Sequence, residues 1–246
     1  LIFSLTSERT PMWQELAVVS LWGGVVALDT TAALQILISR PLVSCSVVGL
    51  LLGGFPTGFL VGLVFELLYL DELPVGGALF NEGNVGATIA AGLAVLLARS
   101  TGRPELALFL ASLTGLVMSK TGGQIVVLLR QLNTRIYARL MARPRITPGA
   151  VTRAHLLALL CMFAAGCLLT LAAVAGFGYI FHLAAPLVPP GLDRHLQSIL
   201  YAFMGVGCGV LLHHFFTRRN WWHLAAGAGF GIMLWVLLAA LGGGGR

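Results

Sequence analysis

Residues 41–70 read PLVSCSVVGLLLGGFPTGFLVGLVFELLYL. Two apolar runs, 42–52 and 59–70, flank Gly53-Gly54-Phe55-Pro56-Thr57-Gly58. Each run is too short to cross a hydrocarbon core about 30 Å thick, which takes about 20 helical residues. Backbone that leaves the helix at membrane depth must be covered by protein or line a wet cavity. Short spans meeting at Gly and Pro therefore point to re-entrant or discontinuous helices around a polar path. Two ordinary hairpins with their turns outside the bilayer have the same spacing, which does not choose between them. Gly49 and Gly53, then Gly54, Gly58 and Gly62, stand four apart, which puts small residues on one helix face. Such a face suits close helix packing or a deformable hinge.

The composition of the whole chain agrees with a membrane setting. Of 246 residues, 58% are hydrophobic and 10% charged, and 31 are glycine; the mean hydropathy is +0.92. A soluble domain carries about 25% charged residues and about 7% Gly, so this chain lacks the polar side chains to cover a globular surface. A water-soluble enzyme is excluded as the default, and the fold class expected is all-α, a polytopic integral membrane protein forming a single transmembrane domain over 1–246. The net charge of +6 comes from a few Arg-rich turns and not from a basic face, so no nucleic-acid partner is expected. Cys45, Cys161, Cys167 and Cys208 lie in apolar runs without metal-ligand spacing; neither a metal nor a cofactor is expected. Phosphate-loop, dinucleotide and nucleophile-elbow motifs are missing from the sequence. His155, His213, His214 and His223 read as interfacial polar residues, and Trp221-Trp222 as part of an aromatic belt. The opening stretch, Leu1 onward with polar 6–14, does not read as a cleavable signal.

Along the chain, an apolar run over 16–38 is broken at Asp29-Thr30-Thr31. Run 85–98 is short, and 106–129 is interrupted at Ser119-Lys120-Thr121-Gly122-Gly123-Gln124. Runs 155–180, 199–216 and 224–241 are clean. The expected plan is a Gly-rich region of broken helices with the substrate site over 16–129, an Arg-rich cytoplasmic loop over 130–153, and three regular transmembrane helices over 154–241. Arg130, Arg135, Arg139, Arg143, Arg145 and Arg153 make that loop basic, and no acid falls between 106 and 192. The positive-inside rule puts it in the cytoplasm, and Arg218-Arg219 then falls on the same side. Arg99 and Arg103 conflict with this unless 106–129 is re-entrant or crosses an even number of times.

An ionisable group inside a span is costly enough to suggest function. Glu66, closely flanked by apolar residues, is the strongest case; Asp29 interrupts the first run, and Glu82 stands in Phe80-Asn81-Glu82-Gly83-Asn84. Carboxylates and amides such as Glu66, Glu82, Asp29 and Asn81 can hydrogen-bond the hydroxyls of a sugar, or serve a proton or cation path. Structural pairing with Arg40 or Lys120 is the alternative for each acid.

Arg40-Pro41-Leu42-Val43, then Val48-Gly49-Leu50-Leu51-Leu52-Gly53, Thr57-Gly58, Gly62, Glu66 and Val75-Gly76-Gly77-Ala78 together resemble a known pattern. It is that of the IIC (membrane permease) subunit of the mannose/fructose/sorbose family of the phosphoenolpyruvate-dependent phosphotransferase system (PTS). Asp29, Gly123-Gln124, Arg130 with Asn133, and His155-Leu156 follow in that family's order. Two positions depart from it: Gly53-Gly54 stands where members often have Gly-Asp, and Asn81-Glu82 where they have Pro-Asp. The resemblance implies a multi-pass subunit of the bacterial plasma (inner) membrane that moves a hexose-type sugar. Glu66, Glu82, Asn81, Asp29 and Gln124 would bind the sugar, with Gly49, Gly53, Gly58, Gly62 and Gly76 as structural or hinge glycines. It implies a IID membrane subunit as partner, cytoplasmic IIA and IIB proteins that carry the phosphoryl group, and a homotrimer of IIC–IID pairs. A sensor of the same fold without transport and an ion-coupled sugar carrier stay open beside it.

Overall fold

The structure is a computed structural model that describes residues 12–69 and 81–215, with 221–222, 225–227, 229–230 and 232–233 beyond them. Among these residues all regular structure is helical: α1 (Met12–Thr31), α2 (Pro41–Leu51), α3 (Phe55–Tyr69), α4 (Gly83–Thr101), α5 (Pro104–Met141), α6 (Pro148–Ala184) and α7 (Asp193–Phe215). Two single 3-10 turns, Ala185–Leu187 and Pro190–Leu192, join α6 to α7. Gly76, Arg218-Arg219 and most of the expected third regular span lie outside the described residues.

The centre of the bundle is α4. Its sequence mixes Gly and Ala with Val85, Ile89 and Leu93, so it is apolar all round and buries on every side. Helices α1, α2, α3, α5 and α6 all pack against it. In its most apolar stretch 72% of residues are buried, against 28% for α6. Helix α4 is thus the internal post, and α6 leaves most of its apolar surface, including Leu156, Leu160 and Leu168, free for lipid or a partner.

The short helices expected over 42–52 and 59–70 are present as α2 and α3. At 1.5 Å per residue they are about 16 and 22 Å long, shorter than the hydrocarbon core. Gly53, at φ +71°, turns the chain, and the Gly54 N–H donates to the Gly49 carbonyl at 2.7 Å. A Cβ on Gly58 would lie 2.4 Å from the Cys45 carbonyl, and one on Gly62 2.7 Å from that of Pro41. The four-residue glycine spacing is therefore a backbone-to-backbone seam.

Three expectations need correction. First, α5 is unbroken across 119–124. The Ser119 and Thr121 hydroxyls donate to the carbonyls four residues back, Gly115 at 2.8 Å and Val117 at 3.0 Å, so their polar groups are satisfied within the helix. Second, 130–153 is not a loop. Helix α5 continues to Met141, and α6 begins at Pro148, where Thr147 caps it by accepting from the Ala150 N–H at 3.3 Å. Third, α1 ends at Thr31 and not near residue 38. Leu34, Gln35 and Leu37 then take positive φ values of 68°, 52° and 68° in a tight turn that non-glycine residues rarely adopt.

The difficulty posed by Arg99 and Arg103 resolves in the same frame. Arg99 pairs with Glu15 at 2.5 Å. Arg103 grips both carboxylate oxygens of Asp193, at 3.1 and 2.6 Å, and donates to the carbonyls of Ala185, Val188 and Pro189 at 2.9, 2.7 and 3.2 Å. The hydrogen bonds to Asp193 push its already high pKa further up, so it stays charged. The α4–α5 turn thus meets the α6–α7 connection at the end of the bundle opposite 130–153, and α5 runs once from one end to the other.

Candidate functional site

The first turn of α4 is set by small residues. The Glu82 N–H donates to the Ser119 carbonyl at 2.8 Å, and the Glu82 carbonyl accepts from the Gly86 N–H at 3.1 Å. A Cβ on Gly86 would lie 2.0 Å from the Ser119 hydroxyl, and one on Gly122 2.8 Å from the Glu82 Cβ. With hydrogens there instead, α4 lies flush on α5 and the Glu82 side chain is held between α1, α5 and α6, only 3% exposed.

Among the described residues neither carboxylate oxygen of Glu82 has a hydrogen-bond partner. The neighbouring Thr30 hydroxyl is already engaged: it donates to the Val26 carbonyl at 2.9 Å and accepts from the Asn84 amide at 3.1 Å. A buried polar group left unpaired costs roughly 1–3 kcal/mol, and more when charged. Glu82 is therefore a liability to the fold that a water or a ligand hydroxyl in the adjoining space would relieve.

The space beside Glu82 supports this. A void of about 20 Å³, with Ala27, Val85 and Gly166 in its wall, holds about one water. Val126, Leu129 and Met162 line both this void and a cleft of about 370 Å³, within the roughly 300–1,000 Å³ of small-molecule sites. The polar side of the cleft is Thr30, Thr31, Gln35, Arg130, Asn133 and His155. A buried relay fixes its edge: Trp22 Nε1 donates to Ser44 Oγ at 3.0 Å, Ser44 and Thr88 hydroxyls lie 2.7 Å apart, and Thr88 donates to the Asn84 carbonyl at 2.8 Å. Asn84 then holds Thr30, so α1, α2 and α4 are joined through the site.

Asp29, Glu66, Asn81 and Gln124 do not line this cleft. Asp29, 2% exposed, accepts the Ile36 and Ser39 N–H groups at 2.8 and 2.9 Å and so organises the strained turn after α1. Glu66 accepts the Leu42 N–H at 3.1 Å and pairs with Arg40 at 3.4 Å, capping α2. Both acids are thus engaged by the chain itself. Gln124 is exposed on α5, about 200° around the helix from Gly122. Asn81 adjoins Glu82 and is half-buried. Thr30, Thr31 and Gln35 line the cleft without being singled out by the sequence, although the Asp29-Thr30-Thr31 break marked their place. His155 reads there as interfacial and as a landmark of the resemblance, Arg130 as part of the basic segment and a landmark, and Asn133 as a landmark only.

Comparison with known proteins agrees with this architecture. The family described as EII-Sor, the PTS system sorbose-specific IIC component, matches residues 12–243. The PTS system sorbose-specific EIIC component of Lacticaseibacillus casei is 28% identical over 82 residues, which is 33% of this chain and 29% of that relative. A solved structure described only as a membrane protein aligns at TM-score 0.70 and 14% identity, covering 94% of this chain and 97% of the other. The cryo-EM structure of the mannose transporter ManYZ with microcin E492 aligns at TM-score 0.53 and 14% identity, covering 94% and 95%. At that identity the two structures speak for the fold alone.

Proposed function

Since the chain belongs to the family of PTS sorbose-specific IIC components, we propose that it is the membrane permease subunit of a sugar phosphotransferase and binds a hexose-type sugar in the cleft beneath Arg130 and His155. One observation carries this assignment to a site: the buried carboxylate of Glu82, without a hydrogen-bond partner among the described residues, in a small space that shares the wall of Val126, Leu129 and Met162 with the polar cleft. A carboxylate accepts hydrogen bonds from two sugar hydroxyls at once, which supplies the donors the fold withholds. Arg130, Asn133 and His155 bring donors and acceptors from the mouth, and Val126, Leu129 and Met162 an apolar face for the ring.

The cleft opens at the Arg-rich end of α5 and α6, which the positive-inside rule assigns to the cytoplasm. A sugar held there is within reach of a cytoplasmic phosphoryl donor, the IIB protein, itself charged by IIA. The IID membrane subunit is the partner for the apolar flank of α6, in a trimer of IIC–IID pairs in the bacterial inner membrane. Gly49, Gly58 and Gly62, in the α2–α3 seam, are where that hairpin would slide or flex during transport.

The test is calorimetric titration of a hexose panel into the purified IIC–IID pair, wild type and Glu82→Gln. Hydrogen bonds to a charged group are worth about 1.5–3 kcal/mol, so the variant should bind its sugar roughly ten- to a hundred-fold more weakly. Equal affinity in the variant, or no hexose bound by the wild type, contradicts the assignment.

A further inference from the structure

Helices α5 and α6 are too long for the membrane they cross. At 38 and 37 residues they measure about 57 and 55 Å, against roughly 40–45 Å for a bilayer with its headgroups. The Arg103–Asp193 cluster marks the opposite end of both, so the excess falls at residues 130–153, a helical hairpin standing clear of the bilayer.

Its surface is unusual for a solvated protrusion. Arg135 and Arg139 stand four apart on α5 and Arg143 follows in the bend after it, all exposed, with Leu132 one turn before them and Arg145-Ile146 on the tip. Like charges four apart on a helix repel by a few tenths of a kcal/mol per pair, and no acid between residues 106 and 192 offsets them. Arginine mixed with exposed apolar side chains is the composition of a protein interface. Anionic lipid attracts basic residues within about a Debye length of the headgroups, which suits Arg130 at the base better than Arg143 and Arg145 at the tip. The hairpin also begins at the cleft, whose wall includes Arg130, Asn133 and His155.

We propose that the outer hairpin, through Arg135, Arg139, Arg143 and Arg145, is the docking surface for a soluble partner with an acidic face, the phosphoryl-carrying IIB protein, and that it holds that partner over the mouth of the cleft. The inference rests on the permease reading and adds where the donor binds and by what chemistry.

The experiment measures binding of purified phosphorylated IIB to the detergent-purified IIC–IID pair at about 0.15 M salt. It compares wild type with the triple variant Arg135→Glu/Arg139→Glu/Arg143→Glu and with the matching triple Lys variant. These side chains are exposed and outside the cleft, so sugar binding and co-purification of IID serve as controls. Charge reversal should weaken IIB binding by at least about ten-fold, the Lys variant should stay within about three-fold of wild type, and sugar affinity should not change. The inference is overturned if the Glu variant binds IIB as wild type does, if it loses IID or sugar together with IIB, or if its defect shows only in vesicles containing anionic lipid. A wild-type pair that binds sugar but not IIB overturns the docking inference alone; one that binds neither overturns the permease reading with it.

Discussion

Glu66 and Glu82 look alike in sequence, each an acid among apolar neighbours, and the structure separates them by what their oxygens touch. Glu66 holds Arg40 and the Leu42 N–H, whereas the Glu82 oxygens have no hydrogen-bond partner among the described residues. Glu66→Gln should therefore leave sugar affinity within about two-fold of wild type and lower the melting temperature of the detergent-purified protein, and Arg40→Met should do the same. A loss of sugar affinity in Glu66→Gln at unchanged stability would return Glu66 to the site. Asp29→Ala removes the acceptor for two backbone N–H groups in a turn with three left-handed residues; a fall in Tm on the order of 5 °C is expected, read by thermal unfolding. That these acids sit in apolar sequence was legible from the chain. Which of them is left unpaired was not, because the partners of Asp29 and Glu66 are backbone groups brought in by turns that hydropathy does not encode.

At the level of elements, the α2–α3 hairpin shows two kinds of glycine. Gly53 needs its positive φ but has open space around it, so Gly53→Ala should cost about 1–2 kcal/mol of unfolding free energy. Gly58 has ordinary helical backbone with a carbonyl where its Cβ would be. Gly58→Ala must push the two helices apart, and should lower stability more than Gly53→Ala and leave less monodisperse protein on size-exclusion chromatography. The reverse order would show that the seam is looser than the structure has it. The short runs and their glycine register were readable in the sequence, since period and length suffice. The continuity of α5 was not, because Ser119 and Thr121 satisfy their hydroxyls inside the helix and Gly122 is there to admit Glu82. The same blindness made a loop of 130–153, where Arg and Thr continue a helix that has already left the apolar region.

For the whole molecule, the arrangement of ends is the main result. Glu15 with Arg99, and Asp193 with Arg103, gather at one end, and the basic hairpin stands at the other, which removes the contradiction that charge counting alone had met at Arg99 and Arg103. A cysteine in place of Pro144 should react with a membrane-impermeant maleimide from the cytoplasmic side, and one in place of Gly191 from the opposite side; labelling of both from the same side contradicts the single crossing of α5. Membrane class and family were legible in composition and in the ordered motifs of 20–160, whereas the cleft was not, since Thr30, Arg130 and His155 come together only when α1, α5 and α6 pack. The central claim is that sugar passes through this cleft to a phosphoryl donor. Its most direct measurement is phosphoenolpyruvate-dependent uptake of the bound hexose into proteoliposomes holding the IIC–IID pair with IIA and IIB, for wild type and Glu82→Gln. The account predicts sugar phosphate accumulating with the wild type and falling to near background with Glu82→Gln; accumulation at wild-type rates in the variant, or none with the wild type, contradicts it.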